Sequence, residues 1–285
     1  MSVKYNAFSN QLGVGLISQT NNVDITSSNI TLANSAPKIF GYASAATPSI
    51  ITSGLIMHLD AGNTSSYSGS GTTWSDLVGS NDATLVNGPT FQSGNGGYIQ
   101  FDGTNDRAEI GITYPANYTI HIALLASERG NHSKEAILDQ GAGSRTNPVR
   151  LWKRSATYSS NGPGNFKIQN TNTFTAAGAI STTTIQDNTW YVVTATYDGT
   201  DLKMYVNGSL EDTQAASAHS NHTGTSLADH PSANTSSMQI NKMGVGELAM
   251  YNTALTATEV TANFNAVKSR YGLWAAIIWL SLHHN

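Results

Sequence analysis

Trp190-Tyr-Val-Val-Thr-Ala-Thr-Tyr-Asp-Gly-Thr-Asp-Leu-Lys-Met-Tyr-Val-Asn-Gly208 mixes apolar and polar residues in a strand-like run, breaks at Asp198-Gly199, resumes, and closes on Asn207-Gly208. About a hundred positions earlier, Tyr98-Ile-Gln-Phe-Asp-Gly-Thr-Asn-Asp-Arg-Ala-Glu-Ile110 follows the same plan around Asp102-Gly103. Asp-Gly and Asn-Gly supply the positive φ angles that tight hairpins need, so each phrase reads as antiparallel strands joined by a turn. Two such phrases in one chain predict a sandwich or a barrel.

Working outward, short strand-like runs recur from Gly54 onward: Leu55 to Leu59, Ala83 to Val86, Tyr98 to Phe101, Ala108 to Ile110, Tyr118 to Leu125, Ala136 to Leu138, Val149 to Trp152, Phe166 to Ile168, Trp190 to Tyr197, Leu202 to Val206 and Met238 to Ile240. Gly, Asn or Asp stands at nearly every gap, and this spacing predicts an all-β, two-sheet antiparallel sandwich. One short helix is expected near the end. Thr256-Ala-Thr-Glu259 has the form of a capping box, Val260, Phe264, Val267 and Tyr271 follow at helical spacing, and Gly272 sits where a helix stop belongs. Residues 1 to 49 are mostly Ser, Asn and Ala around two strand-sized pieces, so they read as an N-terminal arm or small attachment domain. Residues 50 to 272 then form the main domain and 273 to 285 an apolar tail.

Composition narrows the function. Of 285 residues 11% are charged, and the net charge is -4. That balance gives no electrostatic reason to expect nucleic-acid binding, which leans on phosphate neutralisation by Lys and Arg. There is no cysteine, which excludes a disulfide framework and thiolate metal sites. The N-terminus lacks the apolar stretch of a secretory signal, so synthesis in a cytoplasm is expected. The apolar run Leu273 to Leu280 is far shorter than the ~20 residues of a spanning helix, and no membrane anchor is expected.

The stretch from Gly54 to Gly272 resembles the laminin-G-like, concanavalin A-like jelly rolls of phage virion proteins and bacterial surface proteins. The phrases that carry the resemblance are Leu55-Ile-Met-His-Leu-Asp-Ala-Gly-Asn63, Phe101-Asp-Gly-Thr-Asn-Asp106, Tyr118-Thr-Ile120, Trp190 through Gly208, and Glu247 through Glu259 with Asn263-Phe-Asn-Ala-Val-Lys-Ser-Arg-Tyr-Gly272. The first and last look most like those of tailed-phage particles. The resemblance implies a non-enzymatic module on the virion exterior, made in the host cytoplasm and attached to other virion proteins through its arm. Head decoration or fibre is preferred to tail fibre, because no long coiled coil or β-helical shaft accompanies the domain. Two alternatives are a carbohydrate-binding module that recognises the host surface and a bacterial surface adhesin, the latter disfavoured by the missing signal.

Several constellations are candidate sites. Asp102, Asn105 and Asp106 gather oxygens at a loop, as some relatives do to bind calcium, although a full site needs about six to eight ligands and the same residues make turns. No other cofactor is expected. His219, His222 and His230 with Asp229 have spacing that suits zinc or nickel, most readily where copies meet on a symmetry axis, and an interface or solvated loop explains them as well. Arg145, Arg150, Lys153 and Arg154 surround Leu151-Trp152. Either Trp152 stacks on a sugar ring, with Tyr158 and Asn161 from the adjoining Gly-rich loop, or the strand buries its apolar residues and turns its charges to water. Glycosidase chemistry needs two carboxyl groups about 5 to 10 Å apart, and no strand carries acids in that pattern. An enzyme is not expected.

The tail departs from the family pattern, which commonly ends near Arg-Tyr-Gly. Trp274, Ile277, Ile278 and Trp279 left in water would form a patch that monomers avoid, so they are expected at a homo-oligomer interface. Deleting residues 274 to 285 is expected to lower the mass measured by light scattering at matched concentration while circular dichroism stays β-rich. Two monomers would rule the interface out.

Overall fold

A computed structural model describes residues 49–127, 134–140, 147–155, 164–171, 178–229 and 242–273. The chain divides into two units, Met1–Ala46 and Thr47–Asn285, and every described residue lies in the second. The elements follow in chain order: β1 (Leu55–Asp60), β2 (Thr73–Trp74), β3 (Ala83–Val86), β4 (Thr90–Gln92), β5 (Tyr98–Asp102), β6 (Arg107–Thr113), β7 (Tyr118–Ala126), β8 (Lys134–Asp139), β9 (Val149–Ser155), β10 (Gly164–Asn170), β11 (Ala179–Ile180), β12 (Thr189–Tyr197), β13 (Asp201–Val206), β14 (Ser209–Ala215), β15 (Thr223–Leu227), β16 (Lys242–Tyr251) and α1 (Ala257–Val267).

The strands form two antiparallel eight-stranded sheets, as the jelly-roll reading requires. Sheet A runs β14-β13-β12-β7-β16-β5-β4, with β1 also paired to β16, and sheet B runs β11-β10-β9-β8-β15-β6-β3-β2. Alternation decides what goes between them. On sheet A the set Met57, Leu59, Ile120, Ile122, Val193, Leu248 and Met250 is buried in one cluster with Leu85, Ile110, Leu151, Phe166 and Ile168 of sheet B. Side chains of opposite parity on sheet A meet α1 instead: Ala123, Trp190 and Val192 pack with Val267 and Tyr271, and Tyr205, Ala249 and Tyr251 with Val260. Sheet A is therefore buried on both faces, which is why β7 and β12 read as continuous apolar runs rather than clean alternations.

The helix begins as the sequence predicts. Thr256 accepts from Glu259 N–H, and the Glu259 carboxylate accepts from Thr256 N–H at 2.8 Å. Trp190 holds its far end, stacking on Tyr271 with ring centroids 4.4 Å apart and meeting Tyr98 edge-on at 5.4 Å. Asn263 also turns inward: its Oδ1 accepts Ile51 N–H at 2.7 Å and its Nδ2 donates to Tyr251 Oη at 2.9 Å.

Between Val206 and Met238, where the sequence showed no strand-like run, lie β14 and β15; Met238 to Ile240 fall outside the described residues. β14 carries acids rather than apolar residues because it lies at the edge. Its Glu211 accepts the N–H groups of Thr182 and Thr183, both at 2.8 Å, and its Asp212 accepts that of Ile180 at 2.8 Å, which ties β11 of one sheet to the edge of the other.

Both hairpin glycines adopt the predicted left-handed backbone, Gly199 at φ 98° and Gly208 at φ 78°. A Cβ on Gly199 would find only Asn117 Oδ1, at 3.2 Å, whereas one on Gly208 would stand 2.9 Å from the Phe264 ring. Gly199→Val is expected to cost about 1–3 kcal/mol from backbone strain alone. Gly208→Val should cost more, since it must also displace α1, and thermal melts of the two variants check the order.

Candidate functional site

The polar side chains that sheet A buries converge under the end of α1. β16 pairs with β1 on one side and β7 on the other, and the register places His58, Ala249 and His121 in one row and Asp60, Glu247 and Ala123 in the next. Met57, Leu59, Ile122 and Leu248 point into the sandwich, so these two rows point the other way. His121 continues its row to β12, where its Nδ1 lies 2.8 Å from Thr194 Oγ1.

Glu247 is 3% exposed and its Oε1 lies 3.0 Å from His58 Nε2. Arg270 Nη1 meets Asp60 Oδ1 at 2.6 Å, and its Nη2 donates to Gly97 O at 2.9 Å. Burial pushes the Glu247 carboxyl up, but the His58 hydrogen bond and the charges of His58, His121 and Arg270 outweigh it and hold the group below the usual carboxylate range. Burial drives His121 the other way, down to about 4, against the pull of Glu247 and with a further push from His58. His121 Nε2 and Tyr271 Oη are both buried without a hydrogen-bond partner among the described residues. Of these groups the sequence singled out only Tyr271, as a helix-packing residue. A His and a Glu in apolar strands carry no local signal, and only the register brings them together.

The expected calcium oxygens are used by their own turn. Asp102 Oδ1 accepts Thr104 N–H at 2.7 Å and Asn105 N–H at 3.3 Å, and Asp106 Oδ2 accepts Asp102 N–H at 3.0 Å. Burial is the largest single influence on Asp102 and pushes it up, yet the hydrogen bonds from Thr104, Asn105 and Asp106 together outweigh it and lower the group, whereas burial prevails and raises Asp106. Among the described residues, the one group of three His, Asp or Glu side chains with ligand atoms within 4.8 Å of one another is His58, Asp60 and Glu247.

Only part of the histidine cluster falls within the described residues. His219 is buried against Tyr114, Tyr118 and Tyr197, with Nε2 2.8 Å from Pro115 O and Nδ1 3.2 Å from Ser220 O, so both ring nitrogens face backbone carbonyls rather than a shared metal. His222 is half-buried, Asp229 is buried, and His230 lies outside the described residues.

The basic cluster needs the larger correction. Trp152 is fully buried and so offers no face to a sugar; Lys167 Nζ stands 5.4 Å from its ring centroid. Arg150 and Lys153 are buried too, and each is paired across the β8–β9 ladder, Arg150 with Asp139 at 3.2 Å and Lys153 with Glu135 at 2.5 Å. Charges so enclosed persist only when paired, which is why Arg150 and Lys153 add nothing to a basic surface. Tyr158, Asn161 and Arg145 lie outside the described residues, as do Trp274, Ile277, Ile278 and Trp279. No described helix is long and apolar enough to cross a membrane.

Residues 92–261 match the family profile described as the concanavalin A-like lectin/glucanases superfamily. No curated protein matches the chain. Domain 4 of AbnA, an extracellular GH43 arabinanase from Geobacillus stearothermophilus solved with arabinotriose, superposes with a TM-score of 0.54 at 14% identity, covering 73% of this chain and 96% of that one. A botulinum neurotoxin type C structure, described as entering cells through two ganglioside molecules, gives 0.53 at 12% identity, covering 75% and 51%. Trypanosoma rangeli sialidase with sialic acid gives 0.55 at 15% identity, covering 78% and 34%. The chain thus spans about half of the toxin chain and a third of the sialidase.

His121 makes a measurable prediction. Its folded value near 4 lies below the ordinary 6.5, so the unfolded chain binds the extra proton first and stability falls as pH drops through that window. Glu247 and His58 are the titratable groups whose charges act on it. In chelator-treated buffer, unfolding free energy from urea titrations is expected to fall by about 2 kcal/mol between roughly pH 7 and pH 5 on account of this residue. His121→Gln should flatten that slope.

Proposed function

Since the chain belongs to the concanavalin A-like lectin/glucanases superfamily, we propose that it is a non-enzymatic carbohydrate-recognition jelly roll carried on the outside of a tailed-phage particle. The observation that carries the recognition half is the superposition on nearly the whole of an arabinotriose-bound domain. Toxin structures among the neighbours are described by ganglioside interaction and receptor binding, which supports the same reading.

Three of the buried acids support binding over hydrolysis, and a fourth, Asp106, is raised by burial but is engaged in its own turn by the N–H of Asp102. A glycosidase needs one carboxyl kept protonated and a second free to act. Here Glu135 is paired with Lys153, Asp139 with Arg150 and Glu247 with His58. The phage setting rests on the opening phrase Leu55 to Asn63 and the closing phrase Asn263 to Gly272. In this reading residues 1 to 49 attach the module to other virion proteins, the apolar tail joins copies of the chain, and host-surface glycan is the ligand.

A glycan array probed with the full chain tests the proposal. Expected is binding to a defined oligosaccharide class, competed by the free sugar and weakened by Tyr158→Ala or Asn161→Ala. A silent array with antibody labelling of the chain on purified particles would leave a scaffold and remove the recognition role. Binding without any labelling of particles would remove the virion setting.

A further inference from the structure

The strand register brings two imidazoles and two carboxylates to one place that the glycan reading does not use. We propose that His58, Asp60, Glu247 and His121 form a site for a divalent ion of the zinc class, built from nitrogen and oxygen donors on the helix-covered face of sheet A.

Three observations converge on it. The ligand atoms of His58, Asp60 and Glu247 lie within 4.8 Å of one another. Zinc binds nitrogen and oxygen at about 2.0–2.2 Å, so donors to one ion stand within about 4 Å of each other, and a small movement of flexible side chains closes the difference. Second, His121 Nε2 is buried and has no hydrogen-bond partner among the described residues. Its Nδ1 is taken by Thr194, which leaves Nε2 as its remaining donor atom; His121 stands outside the 4.8 Å group, in the same row as His58 with only the small side chain of Ala249 between them. Two strand spacings of about 4.8 Å part the two histidines, within the combined reach of their rings. Third, two carboxylates share the site with a single guanidinium. Arg270 pairs with Asp60, and Glu247 meets an imidazole, His58, which is itself a zinc-ligand type.

Arg270 fits as an outer partner of the site rather than its occupant. Its Nη1 and Gly62 N–H both go to Asp60 Oδ1, which leaves Oδ2 without a hydrogen bond among the described residues. Metal-ligating carboxylates are commonly held from behind in this way. Donors of mixed imidazole and carboxylate type favour zinc and its neighbours, whereas calcium takes oxygen alone. The bound ion would join β1 to β7 across β16.

The test uses the full chain after chelator treatment. One equivalent of cobalt(II), a spectroscopic stand-in for zinc, is expected to give visible absorption that zinc displaces, and zinc but not calcium should raise the melting temperature. His58→Gln, at the exposed rim of the site, should weaken zinc binding at least ~10-fold, the loss that even outer-shell changes produce. His121→Gln should do the same, whereas His222→Gln should leave binding unchanged. An absent cobalt spectrum with no zinc-dependent shift would overturn the site. So would undiminished binding in His58→Gln, which remains decisive should His121→Gln fail to fold, or a shift produced by calcium alone. None of these outcomes bears on the glycan array, so the two readings fail separately.

Discussion

A carboxylate stripped of water has to be met by a cation or by hydrogen-bond donors. Glu247 places that requirement on β16, the strand that pairs with β1, β5 and β7 and so holds sheet A together. The strand bulges at Gly246, one residue before Glu247, and there Tyr271 comes so close that a Cβ on the glycine would stand 2.4 Å from its hydroxyl oxygen. The opening strand supplies His58 and the segment after the helix supplies Arg270, so residues more than two hundred positions apart answer one buried charge. Loosening either end of the domain would leave that charge uncompensated.

How much of this was legible in the sequence follows from the range of each signal. Asp198-Gly199 and Thr256 to Glu259 act within a few residues, and both appear where the sequence placed them. The core strands β7, β9, β10 and β12 were legible too, but β16 was not read as a strand, because two glycines and Glu247 interrupt its apolar residues. β14 was missed because an edge strand need bury nothing, and β15, Thr-Gly-Thr-Ser-Leu, has no alternation to show. Asn263 drew no reading of its own, yet it is buried, and Ile51 and Tyr251 satisfy its amide. His58, His121 and Glu247 share no sequence neighbourhood at all, so nothing short of the strand register could have assembled them.

Arg150, Trp152 and Lys153 teach a related lesson about composition. A basic run beside a tryptophan looks like a binding surface, but the acids that neutralise it, Glu135 and Asp139, stand on the adjacent strand. In a chain with so few charges, those it does carry are spent partly inside.

The ties from Asp212 to β11 and from Glu211 to the two residues that follow it, Thr182 and Thr183, carry a consequence for packing many copies together. Unpaired strand edges are where one sheet grows into the next, and natural sandwiches block them. Here the amides of Ile180, Thr182 and Thr183, which another chain's backbone would otherwise engage, are already held by carboxylates of the same molecule. Neighbouring copies at high local density can therefore press against this margin without fusing their sheets into a continuous ladder.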